Sequence, residues 1–325
     1  MGAQCLRGKH GHVRCNVTAN GCMCSRGCAS SWMCKPSSLC DPLTRPLANP
    51  DSSTVLQLDS PEAADAFLKK AFPPKPLPPR VTLALFLTFN SSLVRDKYRR
   101  TPYKAYNREL KRIKWFLASA ARVQTKLPIH VIVGPERYPQ REAELVALGA
   151  TISVGVFVQP PAFAASSHHR LSFGKVGALA LTQFDKVFVL DNDMALVHNI
   201  DDLAFAPTPS AVWHSSVAQF QYKARETCAV TTGLIGLTPS LSEYERATRV
   251  LASMPSRSTY DGGDQEFWRG FYSPWFELPV RYQAHQALLM PKHEWMQVRA
   301  IHGIYGLRSV SKLPKELRGF INYYT

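Results

Sequence analysis

Short apolar runs separated by segments of helical period set the tightest limit on how this chain folds. Val81–Phe89 is continuously apolar and rich in strand formers, and residues 129–134, 151–158 and Lys186–Leu190 read the same way. Between the first two, residues 103–127 repeat apolar side chains at Leu110, Ile113, Leu117 and Ala120, joined by Phe116, Val123 and Leu127. That spacing is a helix stripe. The other face carries Arg108, Lys111, Arg112, Lys114 and Lys126. Residues 140–148 form a second helical segment, closed by Gly149 as a C-cap, and residues 171–184 form a third. Strands joined by helices of this length require crossover connections. The expectation is an α/β fold with a mostly parallel sheet flanked by helices. Further strands are expected near 211–214 and 233–237, with a helix starting at Ser240 and Glu243 completing a capping box.

The first eighty residues are different in kind. Seven of the eight cysteines lie in residues 1–40, at Cys5, Cys15, Cys22, Cys24, Cys28, Cys34 and Cys40, with only Cys228 beyond. Such density reads as a disulfide staple or a zinc site, but the spacing matches neither paired C-x-x-C ligands nor a recognisable framework. A disordered or poorly ordered leader is therefore expected over 1–40. Residues 41–80 hold nine of the 24 prolines, which resist helix and sheet and favour extended chain; this is a linker. One domain is expected over 81–325.

Charge and hydropathy narrow the partners. The formal net charge is +15, which favours anionic partners. The excess is local: residues 80–126 carry twelve basic and two acidic side chains, a net +10. No apolar run reaches the ~18 residues of a membrane span, and the sequence from Met1 shows no apolar signal core. The chain as written reads as cytoplasmic, or Golgi-lumenal if its N-terminus is incomplete. The sequons at Asn16 and Asn90 add little without a signal.

The sharpest chemical feature is Lys186–Leu190 followed by Asp191-Asn192-Asp193. A hydrophobic strand ends abruptly in two carboxylates spaced i, i+2. Ligands of open parallel sheets bind beyond the carboxyl ends of the strands. Two Asp there can offer hard oxygens to one Mg²⁺ or Mn²⁺, and such an ion takes further ligands from a diphosphate. The plainer alternative is a strand ending in an Asx turn, and D-x-D by itself is common.

The surroundings add specificity. Phe173-Gly174-Lys175 precedes the strand, and the acidic pair continues into a block ending at Phe205. Thr231-Thr232-Gly233 precedes the later helix, followed by Asp261-Gly262-Gly263-Asp264-Gln265 and then Ile301-His302-Gly303. This order resembles the family-8 retaining glycosyltransferases, the glycogenin-like group with a Rossmann-like GT-A fold, over most of residues 81–306.

The resemblance implies roles. Asp191, Asp193 and His302 would hold Mn²⁺ (or Mg²⁺), and Lys175 would reach the nucleotide phosphates as a point charge. Leu87, Thr88 and Asn90, at the end of the first strand, would meet the nucleoside. Asn192, Thr231, Thr232, Gly233 and Gly306 would complete the nucleotide-sugar site. Asp261, Gly262, Gly263, Asp264 and Gln265 would face the donor sugar, with Asp261, Asp264 and Gln265 catalytic. The metal and Lys175 would stabilise the leaving diphosphate. Asp264 would either stabilise an oxocarbenium-like sugar or act as nucleophile. The implied donor is a UDP-sugar, UDP-glucose first, with UDP-galactose or UDP-glucuronic acid behind. The acceptor stays open among glycan, lipid and protein, and glycogenin-type self-modification would bring a homodimer.

Three departures stand out. The family often has Asn-Ser/Ala-Gly where this chain has Thr231-Thr232-Gly233. The middle residue of its D-x-D is usually small, and here it is Asn192. A Lys-Pro-Trp segment usually follows the late glycine, where this chain continues from Gly306 with Leu307-Arg308-Ser309. Two competing readings remain: a basic nucleic-acid- or membrane-binding protein without catalysis, and a pseudo-enzyme that binds nucleotide sugar without transfer. Against nucleic acid, the basic helix pairs its charged face with an apolar one as any solvated core helix does, and no nucleic-acid motif is present. No nucleic-acid partner is expected.

Overall fold

The computed structural model describes residues 3–5, 13–18, 21–24, 80–89, 102–155, 158–161, 171–215, 228–254, 263–272, 275–286, 292–304, 311 and 313–322. The strands are β1 (Ala3–Cys5), β2 (Val13–Thr18), β3 (Gly21–Cys24), β4 (Val81–Phe89), β5 (Ile129–Pro135), β6 (Thr151–Val154), β7 (Lys186–Leu190), β8 (Met194–Leu196), β9 (Ser210–Ser215), β10 (Cys228–Leu237), β11 (Phe276–Leu278), β12 (Ala284–His285) and β13 (Ala300–His302). The helices are α1 (Pro102–Arg122), α2 (Pro139–Ala147), α3 (Leu241–Ser253), α4 (Asp264–Phe271), α5 (Lys292–Trp295) and α6 (Lys315–Asn322), with 3-10 turns at Phe173–Ala180, Asp201–Phe205 and Val280–Tyr282.

One ten-stranded sheet runs β1-β2-β3-β11-β9-β10-β7-β4-β5-β6. The strands β7-β4-β5-β6 at one end of this order form its parallel set, as the strand–helix alternation requires. Val81, Leu83, Leu85 and Leu87 face one side of β4 and Ala84 the other, all buried. A strand covered on both faces reads as a continuous apolar run. β10 enters antiparallel between β7 and β9, and β11 then pairs parallel with β9. The α/β class and the mainly parallel central sheet expected from the sequence are borne out. Beyond β1–β3, the Cys-rich leader and the proline-rich linker lie outside the described residues.

The two faces of the sheet carry separate cores. One packs α1 through Tyr106, Leu110, Ile113, Phe116, Leu117 and Ala120. The other packs the Phe173–Ala180 turn, α3 and α4, with Trp268 completely buried. Part of the basic charge of α1 is answered within the fold: Arg108 and Arg112 pair with Glu109, and Lys114 pairs with Glu144 of α2. No helix among the described residues is long and apolar enough to cross a membrane.

Local signals account for several ends. Gly149 follows α2 at φ +89°, its N–H donating to Val146 O at 2.9 Å, so it does close that helix. Ser240 caps α3 by accepting from Glu243 N–H at 3.5 Å. Other expectations need correction. The helix expected over 171–184 is a 3-10 turn ending at Ala180. Gly174 and Gly177 weaken an α-helix there, and the segment is buried nearly throughout. The strand expected over 151–158 is the short edge strand β6. The strand expected at 233–237 begins earlier, at Cys228.

Two features place the site. Between Thr231 and Ile235 the pairing of β10 with β9 shifts, while Leu234 stays opposite Leu190 of β7. Such bulges re-aim side chains next to functional sites, and here Thr232 and Gly233 sit in the shift. A second sheet, β12-β13-β8, starts directly after the acidic pair. Its register sets His302 opposite Met194 and Ile301 opposite Ala195.

Candidate metal centre

Asp191 and Asp193 lie just past the carboxyl end of β7. The Asp191 N–H donates to Gly233 O at 2.9 Å, and Ile304 N–H donates to Asp193 O at 2.9 Å, so the turn is held from both flanks. The β8–β13 pairing then delivers His302. Its Nε2 lies 3.3 Å from Asp191 Oδ2 and 3.4 Å from Asp193 Oδ1. One donor atom from each of the three lies within 4.8 Å of the others. Their side chains keep 26%, 11% and 16% of their surface exposed, so the cluster opens to one side. Two carboxylate oxygens suit Mn²⁺ or Mg²⁺, and the imidazole nitrogen favours Mn²⁺ of the two.

Charge in this cluster is balanced internally. Burial works against a charged ring at His302, but Asp193 and Asp191 outweigh it and push the pKa up to about 10. Burial likewise opposes ionisation of the two acids. Lys175 and His302 hold Asp191 well below the usual carboxylate range, and His302 does the same for Asp193.

Lys175 lies beneath, 1% exposed. Its Nζ is 2.8 Å from Thr232 O, 2.7 Å from Asp191 Oδ1 and 3.1 Å from Asp264 Oδ2. The Thr232 carbonyl accepts a hydrogen bond from this ammonium, and the two carboxylates form ion pairs with it. Burial tends to strip this charge, but Asp191 and Asp264 restore it and push the pKa up to about 12. The geometry shows a buried cation set between Asp191 and Asp264. Asp264, at the start of α4, also accepts from Thr232 Oγ1 at 3.3 Å. Its pKa is raised by burial, with Lys175 opposing.

The remaining expected residues divide. Thr231 donates from Oγ1 toward Val212 O at 3.1 Å and lies 3.0 Å from Gln283 Oε1. Gly233 sits against the histidine: a Cβ there would lie 2.3 Å from Gln283 Nε2 and 2.7 Å from His302 Cε1. Asn192 turns the other way, donating to Phe86 O at 2.8 Å and tying the acidic turn to β4. Gln265 accepts from Arg269 at 3.3 Å along α4. The Leu87 side chain belongs to the α1-side core. Gly263 is the residue before α4. Asn90, Asp261, Gly262, Gly306 and the side chain of Thr88 lie outside the described residues.

The sequence reading passed over Gln283. It is completely buried, and its amide nitrogen lies 3.3 Å from His302 Nδ1. Its one signal was a polar residue in a stretch whose neighbours, Tyr282 and Ala284, are buried. His285 is also close, its ring centroid 5.4 Å from that of His302 and edge-on to it.

No protein-family model matches the chain. Among curated proteins, it is 24% identical over 151 residues to a putative UDP-glucuronate:xylan alpha-glucuronosyltransferase 3 of Arabidopsis thaliana, 46% of this chain and 21% of that protein. It is 23% identical over 137 residues to UDP-glucuronate:xylan alpha-glucuronosyltransferase 2 of the same plant, 42% of this chain and 21% of that protein. The matches thus span about a fifth of the length of these relatives. Among solved structures, the glycosyltransferase GlyE of Streptococcus pneumoniae has a TM-score of 0.46 at 12% identity, covering 75% of this chain and 60% of that one. Mouse xyloside xylosyltransferase 1 has a TM-score of 0.42 at 14% identity, covering 69% of this chain and 97% of that one. All four are glycosyltransferases.

Proposed function

We propose that this chain is a metal-dependent retaining glycosyltransferase that moves a hexosyl group from a UDP-sugar to a glycan, lipid or protein acceptor. The observation that carries the reading is the meeting of Asp191, Asp193 and His302 beyond the end of β7, beside the buried Lys175–Asp264 pair. The donor set fits Mn²⁺ better than Mg²⁺, because one ligand is an imidazole nitrogen, and those three side chains would hold the ion. When bound, it supplies positive charge against the negative charge that develops on a departing diphosphate.

The chain's own residues do the rest. Lys175 holds Asp191 in orientation from below. The same ammonium and the Thr232 hydroxyl both engage Asp264. A carboxylate so engaged is a poor nucleophile but a well-placed negative charge. Asp264 therefore serves to stabilise the positive charge that develops on the sugar. UDP-glucose is the first donor by the family resemblance. UDP-glucuronate is the second, supported by the activity named for both curated relatives.

The test is UDP release from a panel of UDP-sugars, with Mn²⁺ and after chelation. Turnover should need the metal and vanish in Asp191→Ala and in Asp193→Ala. Full activity in either variant ends the proposal. Binding of nucleotide sugar without turnover, across a panel of acceptors, would instead support a pseudo-enzyme.

A further inference from the structure

Gln283 lies behind the candidate metal centre on the side away from the two acids. Its side-chain amide bridges His302 Nδ1 at 3.3 Å and Thr231 Oγ1 at 3.0 Å, and Thr231 Oγ1 is in turn 3.1 Å from Val212 O. Gln283 is fully buried and Thr231 nearly so, so no water is at hand to repair a poor match, and each polar atom needs a partner within this row.

The same heavy-atom positions admit two patterns, related by a half-turn of the amide. In the first, Gln283 Oε1 faces Thr231 and Nε2 faces His302. The threonine hydroxyl has one proton but then meets two acceptors, Val212 O and Gln283 Oε1. His302 Nδ1 must act as acceptor, which leaves the ring's proton on Nε2, the atom aimed at Asp191 and Asp193. That atom then has no lone pair to give a cation. In the second pattern each contact along the row pairs one donor with one acceptor. Thr231 donates to Val212 O, Gln283 Nε2 donates to Thr231 Oγ1, and His302 Nδ1–H donates to Gln283 Oε1. With Nδ1–H fixed in this way, Nε2 is the ring atom that gives up its proton, otherwise held toward the two carboxylates, when a cation takes its place.

The geometry points to this second pattern. Gln283 is a positioning residue that, through a relay from the Val212 carbonyl by way of Thr231, keeps the His302 proton on Nδ1 and presents Nε2 as a metal ligand. Outer partners of this kind fix the tautomer and orientation of metal-bound histidines. The relay also explains two residues otherwise assigned to the sugar. Thr231 is spent on Val212 and Gln283. Gly233 is where a side chain would strike both Gln283 and His302. The inference rests on the reading of Asp191, Asp193 and His302 as a metal site.

The test measures Mn²⁺ affinity of the full chain without nucleotide, from the spin-resonance signal of free Mn²⁺, alongside thermal melts of the metal-free variants. Gln283→Met keeps length and volume but removes both polar atoms; it should weaken Mn²⁺ by about 10- to 100-fold. Gln283→Glu keeps the acceptor and should bind more tightly than Gln283→Met. A packing role alone predicts the reverse order, because Met suits a buried site better than a carboxylate. Thr231→Val should weaken binding less, with no further loss when added to Gln283→Met. Wild-type affinity in a folded Gln283→Met, or Gln283→Glu binding worse than Gln283→Met, overturns the relay while leaving the metal site standing. Unchanged affinity in Asp193→Ala removes the metal site and the relay with it.

Discussion

Asp193 Oδ1 lies 3.4 Å from His302 Nε2, although 109 residues separate them in the chain. The pairing of β8 with β13 closes that gap: β8 begins at the residue after Asp193, and β13 ends at His302. The candidate centre is thus a by-product of sheet register, and a slip of one residue in that short sheet would turn His302 to the other face.

The proton on His302 should compete with metal. Its folded pKa of about 10 lies above the ordinary 6.5. In the metal-free protein that proton adds stability at and below pH 6.5 and the contribution fades as pH rises toward 10. Asp191 and Asp193, with depressed values, add stability above the normal carboxylate range that is lost as pH falls through their folded values. A cation must displace the proton, so Mn²⁺ affinity should rise with pH, by up to about tenfold per unit between pH 7 and 9. Calorimetric titration in buffers of different ionisation enthalpy checks this by counting the proton released. An affinity flat across that range contradicts it.

Lys175→Met should be among the most damaging single changes outside the apolar core. It leaves Asp191 and Asp264 facing each other without the buried cation between them. Removing one partner of a buried ion pair costs about 3–5 kcal/mol. Urea unfolding measures it. Adding Asp264→Asn should recover part of the loss, because it withdraws one of the stranded charges. Strictly additive losses in the double variant would show that the two side chains are not coupled.

Two glycine substitutions should part company. Gly233→Ala drives a methyl into Gln283 and His302, and overpacking of this sort costs about 1–3 kcal/mol. It should also abolish Mn²⁺ binding. Gly270→Ala, inside α4 with nothing within 4 Å of the added carbon, should gain about 0.5–1 kcal/mol from helix entropy and leave metal binding alone. Thermal melts and a Mn²⁺ titration of both variants decide. Equal effects would mean that the space behind His302 is not confined.

Much of this was readable along the chain because it depends on neighbours in sequence. The apolar run Val81–Phe89, the stripe of α1, the cap at Ser240 and the acidic pair ending β7 are each set by residues within a turn or a strand of one another. The 3-10 form of Phe173–Ala180 escaped that reading, because burial between sheet and helix overrides a marginal preference in a glycine-containing segment. So did the length of β10, whose first residues are strand only because β9 lies beside them.

The tertiary structure alone decided what the key side chains do. Lys175 carries the same charge wherever it sits, but only the packing of its buried turn against β10 and α4 gives it a carbonyl and two carboxylates and takes it away from solvent. His302 is an ordinary strand histidine until β13 pairs with β8. Gln283 gave almost no sign of itself, because its role exists only through His302 and Thr231. Local pattern selects the elements, since helix and strand preferences act over a few residues. A site assembled from residues 175 to 302 is selected by register and burial, which link distant parts of the chain and leave no periodic trace in the sequence.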